Sequence, residues 1–256
     1  MLTIRRIHII MFSYFVFLFF YQEKTFEEKI PEITYEVYKK QQYKKVALTF
    51  DDGPHPYFTQ KIVEILQINN IKATFFLVGK QVEKYPELVR CILDHSDSKL
   101  ANHTYSHKNL TKLLNSEIKE ELKKTQDILN SIAKIQYQDR VIPYFRPPGG
   151  NYNSRVLAVA EELGLKVALW SIFTNDHLSS TTKQEILNNI ASSLSLDEEI
   201  ILLHSGSPQT LEALQDIINL LKEKNYEFVT IDEILTNETD IVNRLRQSED
   251  WTGYIR

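Results

Sequence analysis

The stretch Lys45–Pro56, KVALTFDDGPHP, decides how the rest of the chain is read. Its first six residues, KVALTF, are apolar or β-compatible at nearly every position, which marks a strand covered on both faces and so a parallel sheet. Two adjacent carboxylates and a Gly-Pro turn follow. From Tyr57 to Asn69 the residues Phe58, Ile62, Ile65, Leu66 and Ile68 fall at helical spacing. The order is therefore strand, loop, helix.

Outward from that unit the order repeats. Strands are expected at Lys72–Val78, in a short extended piece before Leu100, where a polar loop begins, and at Pro143–Arg146, Lys166–Ile172, Glu199–His204 and Glu227–Ile231. Helices are expected at Pro86–Leu93, Ser116–Ile132, Ser154–Leu163, Thr182–Ser193 and Thr210–Lys224, with a short one after the last strand. Glu117, Glu120 and Glu121 suit the positive end of the helix at Ser116–Ile132, and Gly164 ends the one at Ser154–Leu163. About seven strand–helix units in roughly 200 residues point to an α/β barrel, possible irregularities included, more than to an open doubly wound sheet. No glycine-rich nucleotide loop follows the first strand, which weakens the open-sheet alternative. No internal repeat is visible.

Composition removes several functions. In 256 residues there are 30 Lys and Arg against 34 Asp and Glu, with no basic block, so no nucleic-acid partner is expected. Cys91 is the only cysteine, which excludes an intrachain disulfide and a thiolate cluster. Any metal must be held by histidine and carboxylate.

Arg5 and Arg6 precede an apolar run from Ile7 to Tyr21, and Gln22, Glu23 and Lys24 follow without a small-residue cleavage site. Residues 1–21 are read as an uncleaved signal anchor, with a cleaved signal peptide or a buried N-terminal helix as alternatives. The basic flank would keep the N-terminus in the cytoplasm and send the rest outside. Residues 22–42 read as a charged stem, 43–235 as the catalytic domain and 236–256 as a C-terminal tail.

Parallel barrels build their sites at the carboxyl ends of strands. Asp51 and Asp52, His103 and His107, Arg146, Asp176 and His177, and His204 all fall at or just after expected strand ends. Two bare carboxylates side by side would repel each other and raise one pKa unless a cation lies between them. One can ligate the cation while the other takes a proton from water. The plainer reading is that they cap the turn and the next helix. His103 and His107, four residues apart in NHTYSH, can face one ion with a carboxylate from elsewhere, although such a pair alone is weak evidence.

Taken together and in this order, TFDDGP, NHTYSH, FRPPGG and ILLH resemble the polysaccharide deacetylases with the NodB homology domain, carbohydrate esterase family 4. The resemblance runs from about Tyr43 to Leu235. It implies a distorted (β/α) barrel of the polysaccharide-deacetylase type and metal-dependent removal of acetyl groups from a polymer of N-acetylated sugars, peptidoglycan or chitin-like. It implies Asp51 as general base and Asp52, His103 and His107 as ligands of a divalent metal, zinc first, with cobalt or nickel as alternatives. Arg146 is implied to orient the base, the Gly149 N–H to donate to an oxyanion, Leu202 to lie beside the acetyl methyl and His204 to act as general acid. Trp170 is placed with Gly149 and Leu202 on the substrate side. Asp176, if bonded to the other ring nitrogen of His204, would favour its protonated form.

The chain departs from the family after Trp170. An Asp-x-x-Asp-Trp segment is usual there, and this chain has FTNDH, with Phe173 for the first aspartate and His177 for the tryptophan. That places pocket shape and substrate choice in question. A glycine-rich lead-in to the histidine motif is replaced by SDSKLAN, residues 96–102. The expectation is a membrane-anchored or secreted, extracytoplasmic N-deacetylase, a monomer. The alternatives are an O-acetyl esterase on a wall polysaccharide and a catalytically weakened glycan-binding wall protein. A glycosidase is disfavoured because its carboxyls must stand about 5 Å or more apart across the bond.

Overall fold

The structure, a computed structural model, describes residues 44–95, 97–134 and 136–235. The expected anchor, stem and C-terminal tail lie outside them. Among the described residues no helix is long and apolar enough to cross a membrane.

Strands and helices follow in chain order: β1 (Lys44–Gly53), α1 (Thr59–Ile68), β2 (Thr74–Leu77), α2 (Gly79–Lys84), α3 (Pro86–His95), β3 (Lys99–Asn102), α4 (Asn115–Ala133), β4 (Val141–Phe145), α5 (Ser154–Glu162) and β5 (Lys166–Val167). Then come β6 (Ile172–Phe173), α6 (Lys183–Ser193), β7 (Glu198–His204), α7 (Pro208–Glu223), β8 (Tyr226–Phe228) and α8 (Ile231–Ile234). They alternate except where α3 follows α2 and β6 follows β5. Every described strand pair is parallel, in the order β5-β4-β3-β2-β1-β7-β6. β1 is long enough to pair β8 through Lys44–Val46, β2 from Thr49 onward and β7 through Lys45–Asp51.

The sheet is a distorted barrel, and residues 166–173 show where the distortion arises. The single strand expected at Lys166–Ile172 is instead two short strands, β5 on β4 and β6 on β7, at opposite ends of the strand order. Between them the Arg146 side chain takes the carbonyls of Ala168 (Nε, 3.1 Å) and Leu169 (Nη2, 3.0 Å). Side-chain donors there satisfy acceptors that a ladder would otherwise use. Smaller corrections concern β3, which continues through Leu100 to Asn102, and the last strand, which ends at Phe228 so that Ile231 begins a helix. The helix α2 was not expected from the sequence, because six residues are too few to show a period.

Successive strand residues face opposite sides, and the buried residues sort accordingly. Val46, Leu48 and Phe50 of β1, Phe75 and Leu77 of β2, and Ile201 and Leu203 of β7 pack with Ile62, Leu66, Ile92, Leu214 and Ile218 of the surrounding helices. Ala47, Phe76, Ala101, Ile142, Tyr144, Ala168 and Ile200 form the inner cluster. Continuing that inner parity to the strand ends gives Asp51, His103, Arg146 and His204. The barrel interior therefore delivers its polar groups to one rim by alternation alone.

Phe75 is fully buried and stacks on Phe50 with ring centroids 5.1 Å apart, on the outer side away from that rim. Phe75→Ala is expected to destabilise the domain by ~3–5 kcal/mol through lost burial and the cavity left behind. A urea midpoint shift checks it, and an unchanged midpoint would contradict the packing described.

Candidate active site

Asp51 faces inward by parity, and its register partner on β7 is His204. Asp52 would face the helices on a regular strand, but its φ of 67° turns the backbone so that its carboxylate joins the same rim. The strand continues to Gly53, so this left-handed residue inside it, more than the Gly-Pro turn, brings both carboxylates together.

Asp51 is buried, and Arg146, fully buried, donates from Nη1 to its Oδ1 at 2.7 Å and to Thr49 Oγ1 at 2.8 Å. The guanidinium also lies 4.0 Å over the Phe76 ring. Burial pushes the Arg146 pKa down, and the Asp51 charge opposes that shift. With one oxygen held by the guanidinium, the other carboxylate oxygen of Asp51 lies 3.7 Å from His103 Nε2.

Asp52, His103 and His107 converge. Asp52 Oδ1 lies 3.2 Å from His103 Nε2 and 3.1 Å from His107 Nε2. That oxygen is buried yet forms no well-directed hydrogen bond among the described residues. His103 Nδ1 faces the Arg146 carbonyl at 2.8 Å, and since a carbonyl can only accept, Nδ1 carries the proton and Nε2 offers its lone pair. Three lone-pair atoms aimed at one another, one of them an orphaned carboxylate oxygen, are what a divalent cation requires. Two imidazoles and one carboxylate, with no thiolate, can hold such an ion. Burial works against the Asp52 charge, but positive charge on the two imidazoles, when they are protonated, outweighs it and holds the carboxyl well below the usual carboxylate range.

His204, on β7 opposite Asp51, is held differently. Its Nδ1 lies 2.8 Å from Asp176 Oδ1, and its backbone N–H donates to Asp176 Oδ2 at 2.7 Å. Asp176 is fully buried and also accepts from Thr174 Oγ1 at 3.0 Å and from the Thr210 hydroxyl. Burial alone would raise the Asp176 pKa, but hydrogen bonding to His204, together with its charge, lowers it. Burial alone would lower that of His204, and Asp176 raises it.

These groups open on a cavity of about 680 Å³ that is also lined by Gly149, Trp170, Phe173, His177 and Leu202. Gly149 has a φ of 63°, which favours glycine, and a side chain on Gly150 would meet the Trp170 ring at 3.0 Å. Trp170, Phe173, His177 and His204 form a row, with successive ring centroids 6.0, 5.5 and 5.3 Å apart. The substituted residues Phe173 and His177 thus stand in the cavity wall. Every residue expected at the site lies on or behind this cavity. What sequence reasoning missed are the supporting threonines: Thr49 and Thr210 reach Arg146 and Asp176 from distant parts of the chain, and Thr174, only two residues before Asp176, is an ordinary polar residue without a motif of its own.

The polysaccharide deacetylase family model matches residues 38–168. A Bacillus cereus peptidoglycan-N-acetylglucosamine deacetylase is 40% identical over 191 residues, covering 73% of this chain and 66% of that protein. A Listeria monocytogenes peptidoglycan-N-acetylglucosamine deacetylase is 33% identical over 222 residues, covering 83% of this chain and 42% of that one. The chain thus spans less than two thirds of the length of these relatives. Among solved structures, a peptidoglycan N-acetylglucosamine deacetylase in complex with 4-naphthalen-1-yl-N-oxidanyl-benzamide superposes with a TM-score of 0.70 at 35% identity, over 77% of this chain and 90% of that one. A carbohydrate esterase family 4 pseudoenzyme from Bacillus anthracis superposes with a TM-score of 0.68 at 28% identity, over 75% of this chain and 65% of that one. A family match over half the chain, these identities and a barrel carrying an Asp-His-His group at its rim agree, and the chain belongs to the polysaccharide deacetylase family, carbohydrate esterase family 4.

Proposed function

We propose that the chain is a metal-dependent hydrolase that removes acetyl groups from N-acetylated sugars of peptidoglycan. The observation that carries this reading is the pairing, across one cavity, of a carboxylate held by a buried arginine with an imidazole held by a buried aspartate. Asp52, His103 and His107 would hold the cation. A divalent ion there, zinc in the first instance, supplies Lewis acidity that polarises an amide carbonyl and acidifies water.

The protein's own groups do the rest. Asp51, with Oδ1 fixed by Arg146, accepts the proton of the attacking water through its second oxygen. The Gly149 N–H donates to the oxyanion that forms as water adds to the carbonyl. Leu202 and Trp170 bound the acetyl methyl. An amine leaves poorly as an anion, so a protonated His204 gives its proton to the sugar nitrogen as the C–N bond breaks, and acetate and the free amine depart. The similarity to peptidoglycan-N-acetylglucosamine deacetylases supports peptidoglycan as the substrate. Arg5 and Arg6 ahead of an apolar run support placement outside the cytoplasm, where that polymer lies.

The test is acetate release by the full chain from peptidoglycan and from a chitooligosaccharide, after chelation and after restoring zinc. Chelation is expected to abolish release and zinc to restore it, with peptidoglycan preferred. Release untouched by exhaustive chelation would sink the metal-dependent reading. No release despite bound zinc would favour a glycan-binding protein, for which Phe173 and His177 in the cavity wall are the supporting observation.

A further inference from the structure

The loop from His103 to His107 carries two of the three converging ligand atoms, and it is held in an unfavourable backbone conformation. Thr104 and His107 have φ values of 64° and 57°. Non-glycine residues adopt the left-handed region only where the surroundings fix them. His103 has its own anchors, directly after β3 and through its Nδ1 bond to the Arg146 carbonyl. His107 is exposed, so the direction of its ring depends on the loop backbone.

Two bonds that shape the loop are local: Thr104 N–H to Asn102 Oδ1 at 2.9 Å, and His107 N–H to Thr104 Oγ1 at 3.1 Å. Others come from outside: the N–H groups of Gly79 and Lys80 donate to the carbonyls of Thr104 and Tyr105, each at 3.0 Å, and the contact nearest His107 comes from α4. Glu121, on α4, accepts the backbone N–H of Ser106 at 2.7 Å with Oε2 and the Ser106 hydroxyl with Oε1. Its residue is only 7% exposed. A carboxylate that far from water needs strong donors, and here both oxygens are engaged by the residue next to His107. α4 is tied to the same region through Asn102 Nδ2, which donates to the Leu122 carbonyl at 2.8 Å.

We propose that Glu121 is a positioning residue for the cation site. By holding Ser106 through two hydrogen bonds it fixes the backbone that aims His107 Nε2 at Asp52 and His103. The proposal rests on the metal reading of that group.

The test measures zinc affinity of the apo full chain, by competition with a chromophoric chelator, in wild type, Glu121→Met, Ser106→Ala and the double variant. Asp52→Asn identifies the site being titrated. Glu121→Met is close in size but carries neither carboxylate oxygen, so both bonds to Ser106 are lost, whereas a glutamine could keep them by accepting the N–H and donating to the hydroxyl oxygen. It is expected to weaken zinc binding about 10–100-fold, as loss of a group supporting a ligand typically does. The visible spectrum of cobalt(II) at the site should shift with it, a change that loose packing of α4 alone would not produce. Ser106→Ala should weaken binding less, and the double variant should be no worse than Glu121→Met, because both act on one contact.

Wild-type affinity and an unchanged cobalt spectrum in Glu121→Met would overturn the proposal, whatever its thermal stability. Should that variant fold poorly, Ser106→Ala decides alone, and wild-type affinity there has the same meaning. Wild-type protein that binds no zinc, or binds it independently of Asp52, would overturn the metal reading and remove the basis for Glu121 with it.

Discussion

Asp51→Asn is expected to lower kcat for acetate release by about 10²–10⁴-fold, the usual contribution of a positioned general base, while zinc affinity stays close to that of the wild type. The separation follows from geometry. Asp52 Oδ1, not Asp51, stands 3.2 and 3.1 Å from the two imidazole nitrogens, whereas Asp51 Oδ1 is bound to Arg146 at 2.7 Å. Asparagine can keep an oxygen toward the guanidinium, but it then presents an amide NH2, a donor, where a proton must be accepted. The substitution also removes a charge facing a fully buried cation. Breaking a buried pair by deleting one partner costs ~3–5 kcal/mol. The cost here should fall below that range, because Thr49 Oγ1 and the carbonyls of Ala168 and Leu169 still accept from the guanidinium. Acetate release, zinc titration and thermal unfolding of one preparation check all three statements. Loss of zinc binding together with loss of activity would mean that Asp51 is a ligand and that its role as base is wrong.

Much of this arrangement was legible in the sequence because alternation on a strand is a rigid rule. Once KVALTF is read as a strand with Val46, Leu48 and Phe50 on the helix side, Asp51 must point inward, and the same parity holds for His103, Arg146 and His204. Asp52 was legible as a residue but not as a geometry, since a positive φ inside a strand overrides alternation and nothing local announces it. The stretch Lys166–Ile172 reads as one apolar strand because periodicity registers burial. It does not register that Arg146, twenty residues earlier in the chain, draws two of its carbonyls away. The threonines behind Arg146 and Asp176, and Glu121 behind Ser106, are ordinary polar residues in sequence. Apart from Thr174, which stands two residues before Asp176, they acquire meaning only from contacts between distant parts of the chain. Phe173 and His177 were visible as departures, and the structure places them in the row of rings that reaches His204.

That row sets two imidazoles 5.3 Å apart, His177 and His204, and the second prediction turns on which of them carries the proton. Burial lowers the His177 pKa, and the charge of His204 lowers it further. Burial works in the same direction on His204, but the hydrogen bond and charge of Asp176 outweigh it and raise the value. Two like groups pushed apart by their surroundings have distinct roles, and under the proposed mechanism the raised one serves as the acid. A general acid acts while protonated, so activity should be lost as pH rises through the His204 pKa. Asp176→Asn removes the charge that raises this pKa. The alkaline limb of the kcat profile should therefore move to lower pH, with the loss growing as pH rises across neutrality. His204→Gln should remove that limb and lower kcat by about 10²–10⁴-fold, the range for a lost general acid. Asp176 is itself held below its ordinary value, so its own protonation should not shape the profile near neutrality. A His204→Gln variant that retains both its rate and its alkaline limb would show that another group delivers the proton. His177 would then be the next residue to replace, because its ring is the other imidazole beside His204 in the cavity wall.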